Sequence, residues 1–170
     1  LGTVYVGMRL RPARLGGLID ARADSLTDRH YQLDSLGGRP ADSLLQQLSG
    51  ANSMEAQVAA LEQHVVQAWR AHPRLDALDR VVAGIRRHAG GIRVESLVEE
   101  ISLSRRQLER QFQQEVGLTP KQFCRVVRFQ HALLMLQQGP VNRAALAAEL
   151  GFTDQSHMRR DFIALANRAM

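Results

Sequence analysis

VESLVEEISLSRRQLERQFQQEVGLT, residues 94–119, decides how this chain reads. Val94, Leu97, Val98 and Ile101 fall at i, i+3, i+4 and i+7, the spacing that lines one face of a 3.6-residue helix. Ser102-Leu103-Ser104 interrupts the pattern. Ser104 with Gln107 three residues later is a capping box, in which each side chain satisfies an amide the new helix would otherwise leave unpaired. The helix that starts there carries Leu108, Phe112 and Val116 on one face and stops at Gly117, a residue type that takes the left-handed conformation without a Cβ penalty. Two short helices joined by a three-residue turn predict a helix-turn-helix.

At about 100° per residue, Arg106 and Arg110 each lie roughly 200° from Leu108, on the side facing away from the core. Glu109 and Gln113 border them, and Arg105 flanks the buried stripe. Alone, such a face is compatible with simple solvation. After this turn, it is the face that the motif places in the major groove of DNA.

A chain of 170 residues fits one large or two small domains and buries a proper core. The formal charge is +5 and it is unevenly spread: residues 1–72 hold seven Arg against seven acidic residues, and residues 73–170 hold fifteen Lys+Arg against ten. Such an excess suits nucleic acid or an anionic membrane. No apolar run approaches the ~20 residues that span a bilayer, so nucleic acid is favoured and no membrane partner is expected. Lys121 is the only lysine among 22 cations. Arg pairs bidentately with guanine or phosphate, although a biased genome gives the same composition.

Cys124 stands alone, which excludes an internal disulfide framework and a Cys-rich zinc site. It falls within an amphipathic helix, so buried packing in a reducing, cytoplasmic compartment is expected. The six His residues show no metal spacing, no Gly-rich phosphate loop is present, and the adjacent Glu99 and Glu100 diverge around a helix. No enzyme activity, metal or cofactor is expected. The chain opens at Leu1 inside an apolar run with no signal peptide, and reads as a piece of something longer.

Val4, Val6, Met8 and Leu10 alternate with Thr3, Tyr5 and Arg9, the period-2 pattern of a half-buried strand whose sheet partners lie upstream. The chain is therefore expected to be mainly α, with a partial mixed α/β segment in front. Pro12 and Gly16-Gly17 make a turn or short helix, residues 31–36 are ambiguous, and Gly37-Gly38 marks a loop. A helix follows Pro40 through Leu44, Leu45 and Leu48 to Gly50. Asn52 and Glu55 form a second capping box before a long stripe at Met54, Val58, Leu61, Val65 and Trp69. That stripe is either core packing or a dimer contact. His72-Pro73 ends the helix and sets a domain boundary, 1–72 against 73–170.

Beyond the boundary, Leu75, Leu78, Val82 and Ile85 give a supporting helix closed by Gly90-Gly91. Thr119, Pro120 and Gln122 start a linker helix over 120–138 that passes Phe123, Val126, Val127, Leu133, Leu134 and Leu136 before Gly139-Pro140. Asn142 opens a short helix with Leu146 and Leu150, Gly151-Phe152-Thr153 is a turn, and Asp154 caps a last helix with Met158, Phe162 and Leu165.

These elements repeat the opening stretch. At an offset of 49, Leu97, Val98, Ile101 and Leu103 fall on Leu146, Ala147, Leu150 and Phe152; at 50, after the turn, Leu108, Arg110, Phe112 and Gly117 fall on Met158, Arg160, Phe162 and Asn167. The chain thus holds two helix-turn-helix units, 94–117 and 142–167. The linker of about 28 Å is long enough to hold both on one side of a duplex whose major groove returns every ~34 Å. Ser102 and Gly151 share the turn position, where a positive φ is expected in both units.

At these residues the chain resembles the AraC/XylS transcriptional regulators. The likeness is carried by Ser104, Leu108, Arg110, Phe112, Gly117, Thr119-Pro120, Arg128, Ala132 and Leu136, then by Leu146-Ala147, Gly151-Phe152, Asp154-Gln155-Ser156-His157, Arg160 and Phe162. It covers residues 76–167 and implies a DNA-binding domain of two helix-turn-helix units joined by a long helix. By that resemblance Arg106, Arg110, Gln155, Ser156 and Arg160 contact double-stranded DNA, Arg105 and Arg159 are added as their neighbours, and Arg128 is mainly structural. His157 either touches phosphate or caps its helix.

VGMRLRPARLGGL (6–18) with LTDRHYQLDSLGG (26–38) resembles the end of a regulatory domain in one branch of that family, so residues 1–72 are expected to be its C-terminal part, with a homodimer through that segment and RNA polymerase as further candidate partners. Two departures stand out: Ser102 replaces the usual turn glycine, and Asn167-Arg168-Ala169-Met170 replaces a G-x-S/T-P pattern. The leading expectation is sequence-specific DNA binding. The alternative is a protein-interaction module that keeps the fold without DNA affinity.

Overall fold

The computed structural model describes residues 5–16, 18–36, 38–71, 75–139 and 141–166. They are mainly helical and divide into two compact units, residues 1–75 with 113–117, and residues 76–112 with 118–170.

The first unit contains α1 (Ala23–Leu26), a 3-10 turn (Leu33–Leu36), α2 (Arg39–Ser49) and α3 (Met54–Ala71). α2 packs on α3 and ends at Gly50 as its glycine suggested. The cap of α3 differs from the capping box read at Asn52. Ser53 stands directly before the helix, and its Oγ accepts the Ala56 amide at 3.1 Å, a reach that belongs to the immediately preceding residue.

Only one end of the α3 stripe is packed: Val65 clusters with Leu18 and Ala68, while Met54 and Val58 are exposed. His64 is buried beside them with Nε2 3.3 Å from the Leu18 carbonyl oxygen, and the Trp69 indole donates to the Arg14 carbonyl. The strand expected over residues 3–10 begins outside the described residues. The described part, 5–10, pairs with no strand, and the sole β-type contact among the described residues is an isolated bridge between Gly16 and Ile19. A strand has no ladder of its own without a partner, so the α/β character expected of this segment is not found among the described residues.

The second unit contains α4 (Asp76–Arg87), α5 (Val94–Glu99), α6 (Arg105–Val116), of which 113–116 fall to the first unit, then α7 (Pro120–Gln137), α8 (Arg143–Glu149) and α9 (Gln155–Ala166). Its boundaries follow the local signals. Ser104 and Gln107 close their box, with Gln107 Oε1 accepting the Ser104 amide at 2.9 Å and Ser104 Oγ accepting the Gln107 amide at 3.3 Å. Thr119 and Gln122 do the same for α7. Asn142 Oδ1 accepts the amides of Ala144 and Ala145, and Asp154 Oδ1 accepts the His157 amide at 2.7 Å.

The helix ends differ from expectation in two places. α4 closes one residue earlier than Gly90-Gly91 implied: the Ala89 amide donates to Arg86 and the Gly90 amide to Ile85, a Schellman ending with Ala89 at φ 48°. α8 ends in the same way, with Gly151 at φ 70° and amides of Gly151 and Phe152 on the carbonyls of Ala148 and Ala147. Ser102 is not among the residues of positive φ. α5 ends instead in a tight turn that puts the Ile101 amide on the Val98 carbonyl, so the first turn needs no left-handed residue there.

α7 serves both helix-turn-helix units. Near its start Phe123 meets Phe112 edge-on with ring centroids 5.6 Å apart and α7 packs on α4, while Leu78, Ile85, Leu97 and Leu108 of the same unit are fully buried. Near its end Ala132 joins Leu146, Ala147, Leu150, Phe152 and Met158 in one cluster, with Met135, Val141 and Phe162 against it. Leu133, Leu134 and Leu136 lie exposed, because the inner face of this last stretch is set by Ala132 and Met135. Asn167, the expected end of the second unit, lies outside the described residues.

Candidate nucleic-acid interface

The capping box at Ser104 and the buried Leu108 and Phe112 fix which side of α6 faces out. That outer side carries Arg105, Arg106 and Arg110, all exposed. Arg106 and Arg110 have no hydrogen-bond or ion-pair partner among the described residues. Arg105 is engaged, its Nη1 2.8 Å from Glu95 Oε1 and its Nε 3.1 Å from Glu109 Oε1. The sequence already set Arg105 apart as flanking the buried stripe, and its ion pairs distinguish it further from Arg106 and Arg110.

On α9, Met158 is buried and Phe162 packs against the second core, with its ring 4.8 Å from that of Phe129. Gln155, Ser156, Arg159 and Arg160 are therefore turned outward, and all four are exposed. Arg160 Nε donates to the Ser156 carbonyl at 3.3 Å within its own helix, which leaves the rest of the guanidinium fork available. His157 is half-buried, its ring edge-on to Phe152 at 5.4 Å. The helix cap is Asp154, so His157 is not the capping residue.

A cleft of about 560 Å³ lies between these helices. Arg105 and Glu109 of α6 line one side, His157 and Asp161 of α9 another, and Lys121, Arg125 and Arg128 of α7 form its floor with Cys124. Burial pushes the Cys124 thiol above the ordinary thiol value, and the positive charge of Arg128 offsets part of that.

Sequence reasoning missed the role of Arg125 and gave Arg128 only a structural role without its partners. Arg125 Nε and Nη2 form a fork on the two carboxylate oxygens of Asp161, at 3.1 and 2.8 Å. Nothing local joins residues 36 positions apart. Arg128 donates from Nη2 to the Gly90 carbonyl at 2.9 Å and lays its guanidinium over the Phe152 ring, 4.7 Å from the centroid. No helix among the described residues is long and apolar enough to cross a membrane.

A family model described as "Helix-turn-helix domain" matches residues 97–169. An uncharacterised HTH-type transcriptional regulator of Haemophilus influenzae is 35% identical over 69 residues, 41% of this chain and 23% of that protein. The HTH-type transcriptional regulator MtrA of Neisseria gonorrhoeae is 32% identical over 69 residues, with the same coverage. The HTH-type transcriptional activator RhaS of Escherichia coli (strain SE11) is 31% identical over 90 residues, 50% of this chain and 32% of that protein. No solved structure matches the chain. The aligned part spans less than a third of the length of these relatives. Residues 97–169 therefore match a helix-turn-helix domain, and with two capped helix-turn-helix units on one linker helix this part of the chain is similar to HTH-type transcriptional regulators.

Proposed function

We propose that the chain is the DNA-reading part of a transcriptional regulator that recognises a specific duplex sequence, with α6 and α9 in successive major-groove segments. The observation that carries this reading is the pair of outward faces at matched places of the repeat: Arg106 and Arg110 on α6, and Gln155, Ser156, Arg159 and Arg160 on α9. Arginine donates bidentately to guanine O6 and N7. Gln155 and Ser156 open α9, and the N-terminal residues of a recognition helix are those nearest the base edges. α7, 18 residues long, is about 27 Å from end to end, a length matched to one turn of duplex. Arg105 is assigned to phosphate, since exposed ion pairs are weak and exchange readily for another anion.

In this reading residues 1–72 are the C-terminal part of a regulatory and dimerisation domain and 73–170 the DNA-binding domain. The division of the fold after Leu75 supports it. A homodimer through the first segment is supported by the exposed Met54 and Val58 on α3. RNA polymerase is a further partner, the compartment is the cytoplasm, and no cofactor or catalysis is involved.

A mobility-shift assay over a salt series tests the proposal. Affinity for nonspecific duplex should fall linearly on a log–log plot, with a slope of about −0.9 per phosphate neutralised. Against a sequence selected from random duplexes, Arg110→Ala and Arg160→Ala should each lose about 1–3 kcal/mol beyond any loss on nonspecific DNA, with the melting temperature unchanged. Equal loss on all sequences would make both residues phosphate contacts. Absence of binding at any salt would leave a protein-interaction module.

A further inference from the structure

The contacts that hold α9 in place divide into two kinds. Met158, Phe162 and Phe129 are apolar, and such packing fixes a distance far better than it fixes a rotation. The Arg125–Asp161 fork is directional: two parallel N–H···O bonds, 3.1 and 2.8 Å, with the Asp161 side chain only 13% exposed and that of Arg125 36%. Asp161 directly follows Arg160. A carboxylate pinned against α7 at position 161 therefore fixes where the neighbouring arginine points, about 100° round the helix.

One turn further along α7, Arg128 ties the same stretch to both units. Its Nη2 holds the Gly90 carbonyl in the loop before α5, and its guanidinium covers Phe152 in the turn before α9. Its Nε is buried with no hydrogen-bond partner, and among the described residues no carboxylate pairs with its guanidinium. The loop end of this tie is rigid. A Cβ on Gly90 would collide with the Cys124 carbonyl oxygen, so the loop lies directly on the backbone of α7.

We infer that the Arg125–Asp161 fork, with Arg128 beside it, sets the rotational phase of the second recognition helix relative to the first, and thereby the spacing between half-sites that the protein accepts. These are positioning residues that need touch no base. The inference rests on the DNA-reading function proposed above, and one readout below does not depend on that function.

The test uses the full chain and duplexes enriched by it from a random library, together with derivatives in which one base pair is added or removed between the half-sites. Each step turns one half-site by about 35° relative to the other. The wild type should lose about tenfold in affinity per step, and Arg125→Lys and Asp161→Asn less than about threefold, with single half-site affinity unchanged and the melting temperature close to wild type. Exchanging the pair, Arg125→Asp with Asp161→Arg, should restore the discrimination.

Without DNA, electron-spin distances between labels at the exposed Arg106 and Ala164, in a Cys124→Ala background, should give one narrow distribution in the wild type and a broad one in Arg125→Lys. Wild-type spacing discrimination in the single variants would overturn the inference. So would equal loss on half-site and composite duplexes, or an unchanged narrow distance distribution in Arg125→Lys. If the wild type enriches no sequence, the proposed function fails, and the distance measurement still decides whether the fork sets the phase.

Discussion

Gly90 and Gly151 both sit at positive φ, 78° and 70°, yet a Cβ would meet different surroundings at each. At Gly151 nothing lies within 4 Å, so Gly151→Ala carries only the left-handed strain of about 1–2 kcal/mol. At Gly90 the same strain adds to a collision with the Cys124 carbonyl and an approach of 2.9 Å to the Arg128 amide nitrogen. Gly90→Ala should therefore lower the melting temperature far more than Gly151→Ala; equal shifts would mean that α7 yields at the contact. Ala89, at φ 48°, already bears the strain, and Ala89→Gly should be neutral or stabilise by up to about 1 kcal/mol once the unfolded-state entropy of glycine is subtracted. Ser102→Gly should destabilise slightly, since Ser102 has no left-handed strain to relieve. Cys124 is almost fully buried at the floor of the cleft and its thiol is pushed above the ordinary value by burial, so a thiol reagent should react with it far more slowly than with an exposed cysteine. Because the folded thiol binds its proton more tightly than the unfolded one, stability from this group falls as pH rises past the ordinary thiol value and is unaffected at pH 7.

At the scale of elements, what could be read beforehand is what depends on neighbours a few residues apart. The boxes at Ser104 and Thr119, the Asn142 cap and the buried Leu108 and Phe112 all follow from spacing of three or four. Thr119→Ala should lower stability by about 1 kcal/mol, measured by denaturant midpoint, because it orphans the Gln122 amide. The spacing read Asn52 with Glu55 as the cap, whereas Ser53, a residue type that caps equally well, stands next to the first turn and accepts the Ala56 amide. Nor was the partner of a stripe legible, since periodicity says that Met54 and Val58 share a face with Val65 but not which of them is covered. The Arg125–Asp161 fork joins two helices through tertiary geometry alone. The same logic makes α7 a ruler. One residue inserted after Gln130 would turn Ala132 and Met135 by ~100° and advance them ~1.5 Å relative to Phe123. Binding to a composite site should collapse while each half keeps its helical signal, and unchanged affinity would mean that one unit alone reads DNA.

For the whole molecule, the uneven charge poses the last question: whether the +5 acts as a diffuse field or through local contacts. Residues 1–72 sum to zero and residues 73–170 supply the entire excess. Arg70→Glu and Arg106→Glu change the formal charge equally, and both positions are exposed. A field of the whole chain would weaken DNA binding alike in the two variants, at least at low salt, where screening lengths reach about 30 Å at 0.01 M. Contact with DNA confined to the second unit predicts otherwise. At ~0.1 M salt, where the screening length is about 10 Å, Arg106→Glu should weaken binding, and if Arg106 meets phosphate it should make the log–log salt slope shallower by about 0.9. Arg70→Glu should leave both unchanged. A weaker specific complex with an unaltered slope would instead mark Arg106 as a base contact, and equal weakening by both variants would show that the excess charge attracts DNA without placing it.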